Sequence, residues 1–366
     1  MNWVFWDICL TFPRWFWLPY HAAMLDSNGL LAYILGMLNF FTPCAPLRWS
    51  WLTMIGPDAQ DFLHRLTSAN VRSLVAGRGM KACFLTGEGR IRGYFRLWHF
   101  GAESVGEYAL EFEAGANDRV KRGLLEFIDQ YTFNENFTVF DVSGTCEFES
   151  RWLFANEDDE SRKKLLEVLG VSSFEPGETL ALDEEIRICH HGPRDFGRTW
   201  ISAWGRPARI QQWIEQKIRP HAAEIDLSTT ELWRVLSLSP RADVEITEET
   251  NPLELGLAEA VSRDKGCYPG QEVLERIVSS GSPARRLAMI EGEGNLPEPG
   301  DVIVSDPGPE ASSTEIGEFT TVVKIPELPG FVALGLVRKI YAKQGFQVRF
   351  GPLLNPAVIT RIAPYA

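Results

Sequence analysis

Hydrophobic and polar residues follow two different periods after Trp49, and these periods predict strands and helices. The stretch WLTMIG is almost continuously apolar, as expected of a buried strand. Ala59, Phe62, Leu63 and Leu66 then fall at i, i+3, i+4 and i+7, which predicts an amphipathic helix. The chain therefore opens a strand–helix unit here, and we expect regular structure to begin at Trp49.

The next stretch, KACFLTGEGRIRGYFRLWHF, predicts two strands joined by a turn at Gly87 and Gly89. In the second strand, Arg90, Arg92 and Arg96 share one face because side chains alternate along a strand. That face could be solvated. It could also receive an anionic ligand or RNA.

The remaining pattern predicts an α+β fold. A second strand–helix alternation runs from about 137 to 225, and Ser228 and Glu231 have the spacing of a capping box at a helix start. After Ser279, short strands separated by Gly and Pro predict a small closed β-barrel. The predicted parts are an apolar extension (1–47), a first α/β domain (48–145), a second α/β domain (146–280) and the C-terminal barrel (281–366).

Composition narrows the possible partners. The chain has 366 residues and a net charge of −13, which argues against broad binding to a phosphate backbone, and we expect no DNA partner. Its six cysteines are scattered without a C-x-x-C pair, which favours a reducing compartment, and we expect the cytoplasm. His190 and His191 are adjacent, but no third ligand is in view, so we predict no metal site.

The first 47 residues are rich in tryptophan and poor in charge. Their longest apolar run, LLAYILGML, is shorter than the roughly 20 residues that a membrane helix needs. A signal peptide would carry a basic start, whereas the first charged side chain is Asp7. We expect an extension that packs on the protein. A membrane-surface anchor and a wrongly assigned start codon remain alternatives.

Residues 265–272 read KGCYPGQE and concentrate the candidate chemistry. Pro269 suits the first turn of a helix, which would place Cys267 just before a helix N-terminus. The helix dipole and Lys265 would both lower the pKa of that thiol. The alternative is a structural cysteine in a tight turn. The nearest histidine along the chain is His221, so nothing indicates a cysteine hydrolase.

The motif resembles the signature K-G-C-Y-x-G-Q-E of the YgfZ-type folate-binding proteins, which are relatives of the glycine-cleavage aminomethyltransferase. Residues 265–272 match it at every defined position. The stretch IGPDAQDFLHRLTSANV also resembles the family's first strand–helix unit, and residues 252–254 resemble its P-x-E. The resemblance covers about residues 49 to 360 and leaves the N-terminal extension outside.

The resemblance implies three domains arranged as a ring, with tetrahydrofolate or a derivative in the central hole. It implies Cys267 as the reactive group and Lys265 as its activator. Trp49 and Trp233 correspond to the family's hole-lining tryptophans, and an indole can stack on a flat pterin, although each could be an ordinary core residue. The other positions implied to bind the cofactor are Tyr268, Gln271, Glu272, Glu254 and Arg276.

Two departures from the family bear on function. The aminomethyltransferases carry a catalytic carboxylate on the strand after the Gly-rich turn, but residues 91–95 contain no Asp or Glu, which argues against aminomethyl transfer. Ser239, Pro240 and Arg241 replace an acidic–small–Gly turn, which puts some folate contacts in doubt.

Three hypotheses follow. The first is a folate-binding protein that supports assembly or repair of iron–sulfur enzymes, including those that modify tRNA. The second is a folate-dependent one-carbon transferase, and the third is a non-catalytic scaffold. Direct tRNA contact through the arginines of one strand face, and membrane contact through the N-terminus, are weaker expectations. Whether the protein is an enzyme stays open.

Overall fold

The computed structural model describes residues 40–43, 49–101, 107–143, 149–306, 313–325 and 328–365, with only the backbone of 40–43. The fold is α+β, as predicted, and its strands form three sheets. The first described strand is β1 (Phe40–Pro43). The rest of the predicted extension, with its tryptophans, lies outside the described residues. No helix of the described residues is long and apolar enough to cross a membrane.

The first sheet is antiparallel and carries two helices on one face. Its strands lie in the order β3-β4-β5-β2-β6. The predicted helix after β2 is confirmed, because Ala59, Phe62, Leu63 and Leu66 are buried in the core beneath it. The elements are β2 (Trp49–Ile55), α1 (Ala59–Leu66), β3 (Arg78–Leu85), β4 (Ile91–His99), β5 (Glu107–Glu113), α2 (Arg119–Tyr131) and β6 (Thr138–Asp141).

The second sheet has the strand order β11-β1-β7-β10-β9-β8. Strand β1 runs parallel to β11 and antiparallel to β7, with Phe40 beside both Ala222 and Ala155. The expectation that regular structure begins at Trp49 is therefore wrong. The elements are β7 (Glu149–Ala155), α3 (Asp159–Leu169), β8 (Thr179–Ala181), β9 (Ile186–Gly192), β10 (Thr199–Gly205), α4 (Pro207–Trp213), a π-helical turn (Ile214–Ile218) and β11 (Ala222–Ile225).

The C-terminal strands close into the predicted barrel in the order β12-β15-β14-β13-β16-β17. The barrel closes because β12 pairs with both β15 and β17. Two helices precede it, and the long segment that joins them carries one 3₁₀ turn (Ala258–Ala260). The elements are α5 (Leu227–Leu236), α6 (Gln271–Ser279), β12 (Arg285–Glu293), β13 (Val302–Ser305), β14 (Glu315–Lys324), β15 (Gly330–Arg338), β16 (Gln347–Phe350) and β17 (Asn355–Ile362).

Two helix starts differ from prediction. Helix α5 is capped by Asp226, whose carboxylate accepts the Thr229 N–H at 2.7 Å, so the capping box at Ser228 is wrong. An aspartate caps a helix as well as a serine does, and it comes two residues earlier. Helix α6 begins after Gly270, which has a φ of 80°, so Pro269 lies outside the helix.

The first two sheets meet through aromatic side chains. Trp51 and Trp98 of the first sheet form a buried cluster with Cys189 of the second, and Trp204 packs against it. The rings of Trp51 and Trp204 are 5.3 Å apart. This contact fixes the back of the first sheet against β9 and β10, beside the cavity described next.

Candidate ligand-binding cavity and motif loop

A cavity of about 300 Å³ lies where the first sheet faces the segment after α5. Its walls come from Trp49, β4, β5 and the start of α2, from residues 195–196, and from residues 239–248. The volume is at the lower end of the range for small-molecule sites, about 300 to 1,000 Å³. The cavity can therefore enclose a small ring system.

Arg96 and two tryptophans build one wall of this cavity. The guanidinium carbon of Arg96 lies 4.8 Å from the Trp49 ring centre and 4.7 Å from that of Trp200. Trp200 is fully buried, whereas Trp49 is partly exposed and lines the cavity. The structure thus puts Trp49 in a cavity wall, and its contact with a ligand stays a prediction.

Buried charges hold Arg96 in place. Its Nη2 pairs with Asp195, which also accepts from Lys81 Nζ at 3.0 Å. Burial would raise the pKa of Asp195, but the charges of Arg96 and Lys81 outweigh it and hold that pKa well below its usual range. Lys81 is fixed in turn by Glu259 at 2.5 Å. Because each of these side chains pairs with an opposite charge, the network stays ionised.

Two carboxylates on β5 also line the cavity. Glu111 and Glu113 are two residues apart and so share a face. Glu111 Oε2 accepts the Trp98 indole N–H at 2.9 Å, and Glu113 Oε2 accepts the Ala242 N–H at 2.7 Å. Burial raises the pKa of both to about 7. Sequence reasoning sought a carboxylate only on β4; the available signal was two glutamates at alternate positions of the apolar strand EYALEFE.

The arginines of β4 do not form the free basic face that was considered from sequence. The side chain of Arg96 is only 6% exposed. Arg92 pairs with Glu248, and Arg90 lies 3.5 Å from Glu254. The side chains of Arg90 and Arg92 are 41% and 30% exposed, but their acidic partners offset the positive charge of this face, and direct RNA contact stays a prediction.

Lys265 of the motif holds its loop against α1. Its Nζ donates to the carbonyl oxygens of His64, Thr67 and Ala69, the last two at 2.5 and 3.2 Å. Burial, with a smaller effect of Arg72, lowers the pKa of Lys265 to about 8. The three acceptors favour the ammonium form, because only that form has three N–H donors.

The other motif residues lie on the same loop and on α6. Cys267 is exposed, and Tyr268 is buried with its ring centre 5.0 Å from Lys265 Nζ. Glu272 and Arg276 are exposed, and Gln271 is partly exposed. None of the predicted motif residues is among the described residues that line the cavity. The structure therefore separates the motif from Trp49, rather than joining them in one pocket.

Trp233 and Glu254 also lie outside the cavity wall. Trp233 is 1% exposed and packs in the core beside Phe154, with the Arg198 guanidinium 4.3 Å from its ring centre. Glu254 is buried, pairs with Arg285 at 3.2 Å and accepts the Asn251 N–H. In the described structure both side chains serve packing and ion pairing.

The histidine pair is buried in the second sheet. His191 stacks on Trp200 with ring centres 3.7 Å apart and contacts the Ser202 hydroxyl at 2.8 Å. His190 accepts the Gly192 N–H at 3.1 Å. Among the described residues, no group of three or more His, Cys, Asp or Glu is close enough to hold a metal ion.

Comparisons with known proteins agree with this fold. No protein-family model matches the chain. It is 24% identical over 300 residues to a putative chloroplastic transferase of Arabidopsis thaliana, covering 81% of this chain and 65% of that protein, so it spans less than two thirds of that relative. It is 24% identical over 268 residues to the tRNA-modifying protein YgfZ of Photobacterium profundum, covering 70% of this chain and 71% of that one.

A solved structure supports the fold directly. The glycine cleavage system aminomethyltransferase T from Bartonella henselae matches with a TM-score of 0.70 at 16% identity, over 93% of this chain and 90% of that one. The fold is thus that of the aminomethyltransferase-like proteins. Further YgfZ proteins match at 23–24% identity over about 70% of this chain, a likeness that agrees with the resemblance seen in residues 265–272.

Proposed function

We propose that the protein binds tetrahydrofolate or a derivative in the cavity, with the pterin against Trp49. The observation that carries this proposal is that one partly exposed indole lines a cavity holding both a hydrogen-bond donor, Arg96, and acceptors, Glu111 and Glu113. A pterin is flat and carries donors and acceptors on one edge, so the residues present fit it. The cytoplasm stays our predicted location.

Calorimetric titration with tetrahydrofolate under reducing conditions tests this proposal. Trp49→Leu should weaken binding at least about 10-fold, since it removes about 1.4 kcal/mol or more of contact. Trp233→Phe is the matched control, because Trp233 is buried outside the cavity, and its affinity should stay near wild type. Absence of binding by folded wild-type protein would refute the proposal, as would equal loss in both variants.

We further propose that the folate-bound protein supports assembly or repair of iron–sulfur enzymes, including those that modify tRNA. Its YgfZ relatives are named tRNA-modifying proteins, and Cys267 presents an exposed thiol on the motif loop. In cells lacking the endogenous protein, Cys267→Ala should fail to restore iron–sulfur enzyme activity while its level stays normal. Full restoration would favour the scaffold hypothesis. A gel shift with tRNA that weakens with salt would reopen direct tRNA binding.

Aminomethyl transfer is a second candidate because Glu111 and Glu113 supply cavity carboxylates that β4 lacks. With pKa values of about 7, either could exchange a proton near neutral pH. Formation of methylenetetrahydrofolate from an aminomethyl donor, lost in Glu113→Gln, would establish this activity. Its absence in folate-binding protein would leave the iron–sulfur proposal in place.

A further inference from the structure

Arg96 and Glu111 stand side by side on the cavity wall. They are cross-strand partners in the register of β4 and β5, and both line the cavity. Arg96 is 5% exposed and Glu111 is fully buried. Side chains that face each other across an antiparallel pair start about 4.5 to 5.5 Å apart, so one small ring can reach both.

Each of these side chains is only half satisfied. Arg96 Nη2 is committed to Asp195, and Glu111 Oε2 accepts from Trp98, with His191 Nε2 3.2 Å from the same oxygen. Arg96 Nε and Nη1 and Glu111 Oε1 have no hydrogen-bond partner among the described residues. Buried polar atoms are rarely left unpaired, which points to a ligand that completes them.

We infer that Arg96 and Glu111 recognise the lactam edge of the pterin, which is the edge formed by the C4 carbonyl and N3–H. This inference rests on the proposed folate site. The ring carbonyl at C4 accepts from Arg96, and the adjacent N3–H donates to Glu111. The pair is complementary to this order of acceptor and donor because Arg96 has only donors and an ionised carboxylate only acceptors. Arg96 also lies over Trp49, so a ring bonded to it is held beside the indole.

The inference predicts selectivity between two nearly identical ligands. Tetrahydrofolate and its 4-amino-4-deoxy analogue differ in this edge alone, since the analogue has a donor at C4 and a bare acceptor at N3. Calorimetry on the full chain should show tetrahydrofolate binding at least about 10-fold more tightly than the analogue. The analogue places its C4 amino group against the donors of Arg96 and its N3 acceptor against the carboxylate of Glu111, so neither hydrogen bond can form.

Two Glu→Gln substitutions test whether Glu111 is the source of this selectivity. Glu111→Gln brings an amide N–H that can donate to the analogue's N3, so the affinity ratio should fall toward one. Glu107→Gln, on the same strand but outside the residues that line the cavity, should keep the wild-type ratio. Circular dichroism must show both variants folded; should Glu111→Gln unfold, Arg96→Gln, whose amide oxygen can accept from the analogue's amino group at C4, replaces it and should also lower the ratio.

The outcomes separate this inference from the proposal on which it rests. Equal binding of both ligands by wild type would overturn the Arg96–Glu111 assignment and leave folate binding intact. A ratio unchanged in the folded Glu111 or Arg96 variant would overturn it as well. Failure of folded wild type to bind either ligand would instead remove the folate proposal itself.

Discussion

Lys265 Nζ donates a hydrogen bond to the backbone carbonyl oxygen of Thr67 at 2.5 Å, which ties the motif loop to the residue that caps the C-terminus of α1. A cation is favoured at a helix C-terminus, where carbonyl groups lack intrahelical partners. In this position the motif lysine anchors its loop to the C-terminal end of α1. Activation of the Cys267 thiol by Lys265 stays a separate prediction.

Lys265→Met should destabilise the protein by about 1 to 3 kcal/mol, since it removes the donor shared by three carbonyl groups. Urea denaturation measures the change. Lys339→Met, at an exposed position, is the control and should shift the free energy of unfolding by no more than about 0.5 kcal/mol. Equal stability of the two variants, with slower alkylation of Cys267 in Lys265→Met, would favour thiol activation over anchoring.

Gly270→Ala should cost at least about 1 to 3 kcal/mol. Gly270 has a φ of 80°, and an added Cβ would lie 2.5 Å from the Thr86 carbonyl oxygen and 2.7 Å from Gly89 Cα. Gly266→Ala, in the same motif, meets nothing within 4 Å and should change stability by less than about 1 kcal/mol. Thermal unfolding of the two variants measures this difference, and coincident midpoint temperatures would contradict it.

Among the three cysteines of the described residues, Cys267 should react first with iodoacetamide. It is exposed, whereas Cys83 and Cys189 are buried, and burial raises the pKa of Cys83 to about 12. Peptide mass spectrometry over time should show fast labelling of Cys267, and of the other two only after denaturation. Fast labelling of Cys83 in the folded protein would contradict its burial. Cys9, Cys44 and Cys146 lie outside the described residues and are followed by their own peptides.

Glu113→Gln should change how stability depends on pH. The pKa of Glu113 is raised from 4.5 to about 7, so the folded state holds a proton that the unfolded chain has lost. That contribution is complete below pH 4.5 and is lost as pH rises through about 7. The stability of Glu113→Gln relative to wild type should therefore increase from about pH 5 to about pH 8. Urea titrations across this range check it, and a constant difference would contradict it.

Asp195→Asn should destabilise the protein by about 3 to 5 kcal/mol, because it leaves Arg96 and Lys81 with reduced compensation in a buried site. Asp61→Asn is the matched control. Asp61 pairs with Arg72 at the surface and is 71% exposed, so its loss should cost about 1 kcal/mol or less. Similar unfolding free energies for both variants would mean that the buried network contributes little.

The parts of the fold that sequence predicted depend on local pattern. Helix α1 shows its buried face in the spacing of Phe62 and Leu66, and the barrel shows its strands between glycines and prolines. The motif likewise pointed to the aminomethyltransferase-like fold. Each of these signals is contained within a short stretch of chain, so no knowledge of distant partners was needed.

The parts that sequence missed depend on distant partners. Arg96 is buried because Asp195, which is 99 residues away, neutralises it, and nothing in the pattern of β4 reveals that pairing. Lys265 reaches α1, which is about 200 residues earlier, and its spacing from Cys267 gives no sign of that contact. Trp233 looked equivalent to Trp49 by resemblance, yet only Trp49 is among the described residues that line the cavity.

Strand β1 has a consequence for the order in which the protein is made. Residues Phe40–Pro43 leave the ribosome before any strand of the first sheet, but their parallel partner Ala222–Ile225 is synthesised far later. All strands of the first sheet, through Asp141, are synthesised after Phe40–Pro43 and before Ala222–Ile225. The second sheet cannot be completed co-translationally until residue 225 is free. Strand β1 cannot pair with β11 until β11 has been synthesised. Pairing between strands so far apart in sequence is of the kind that slows folding.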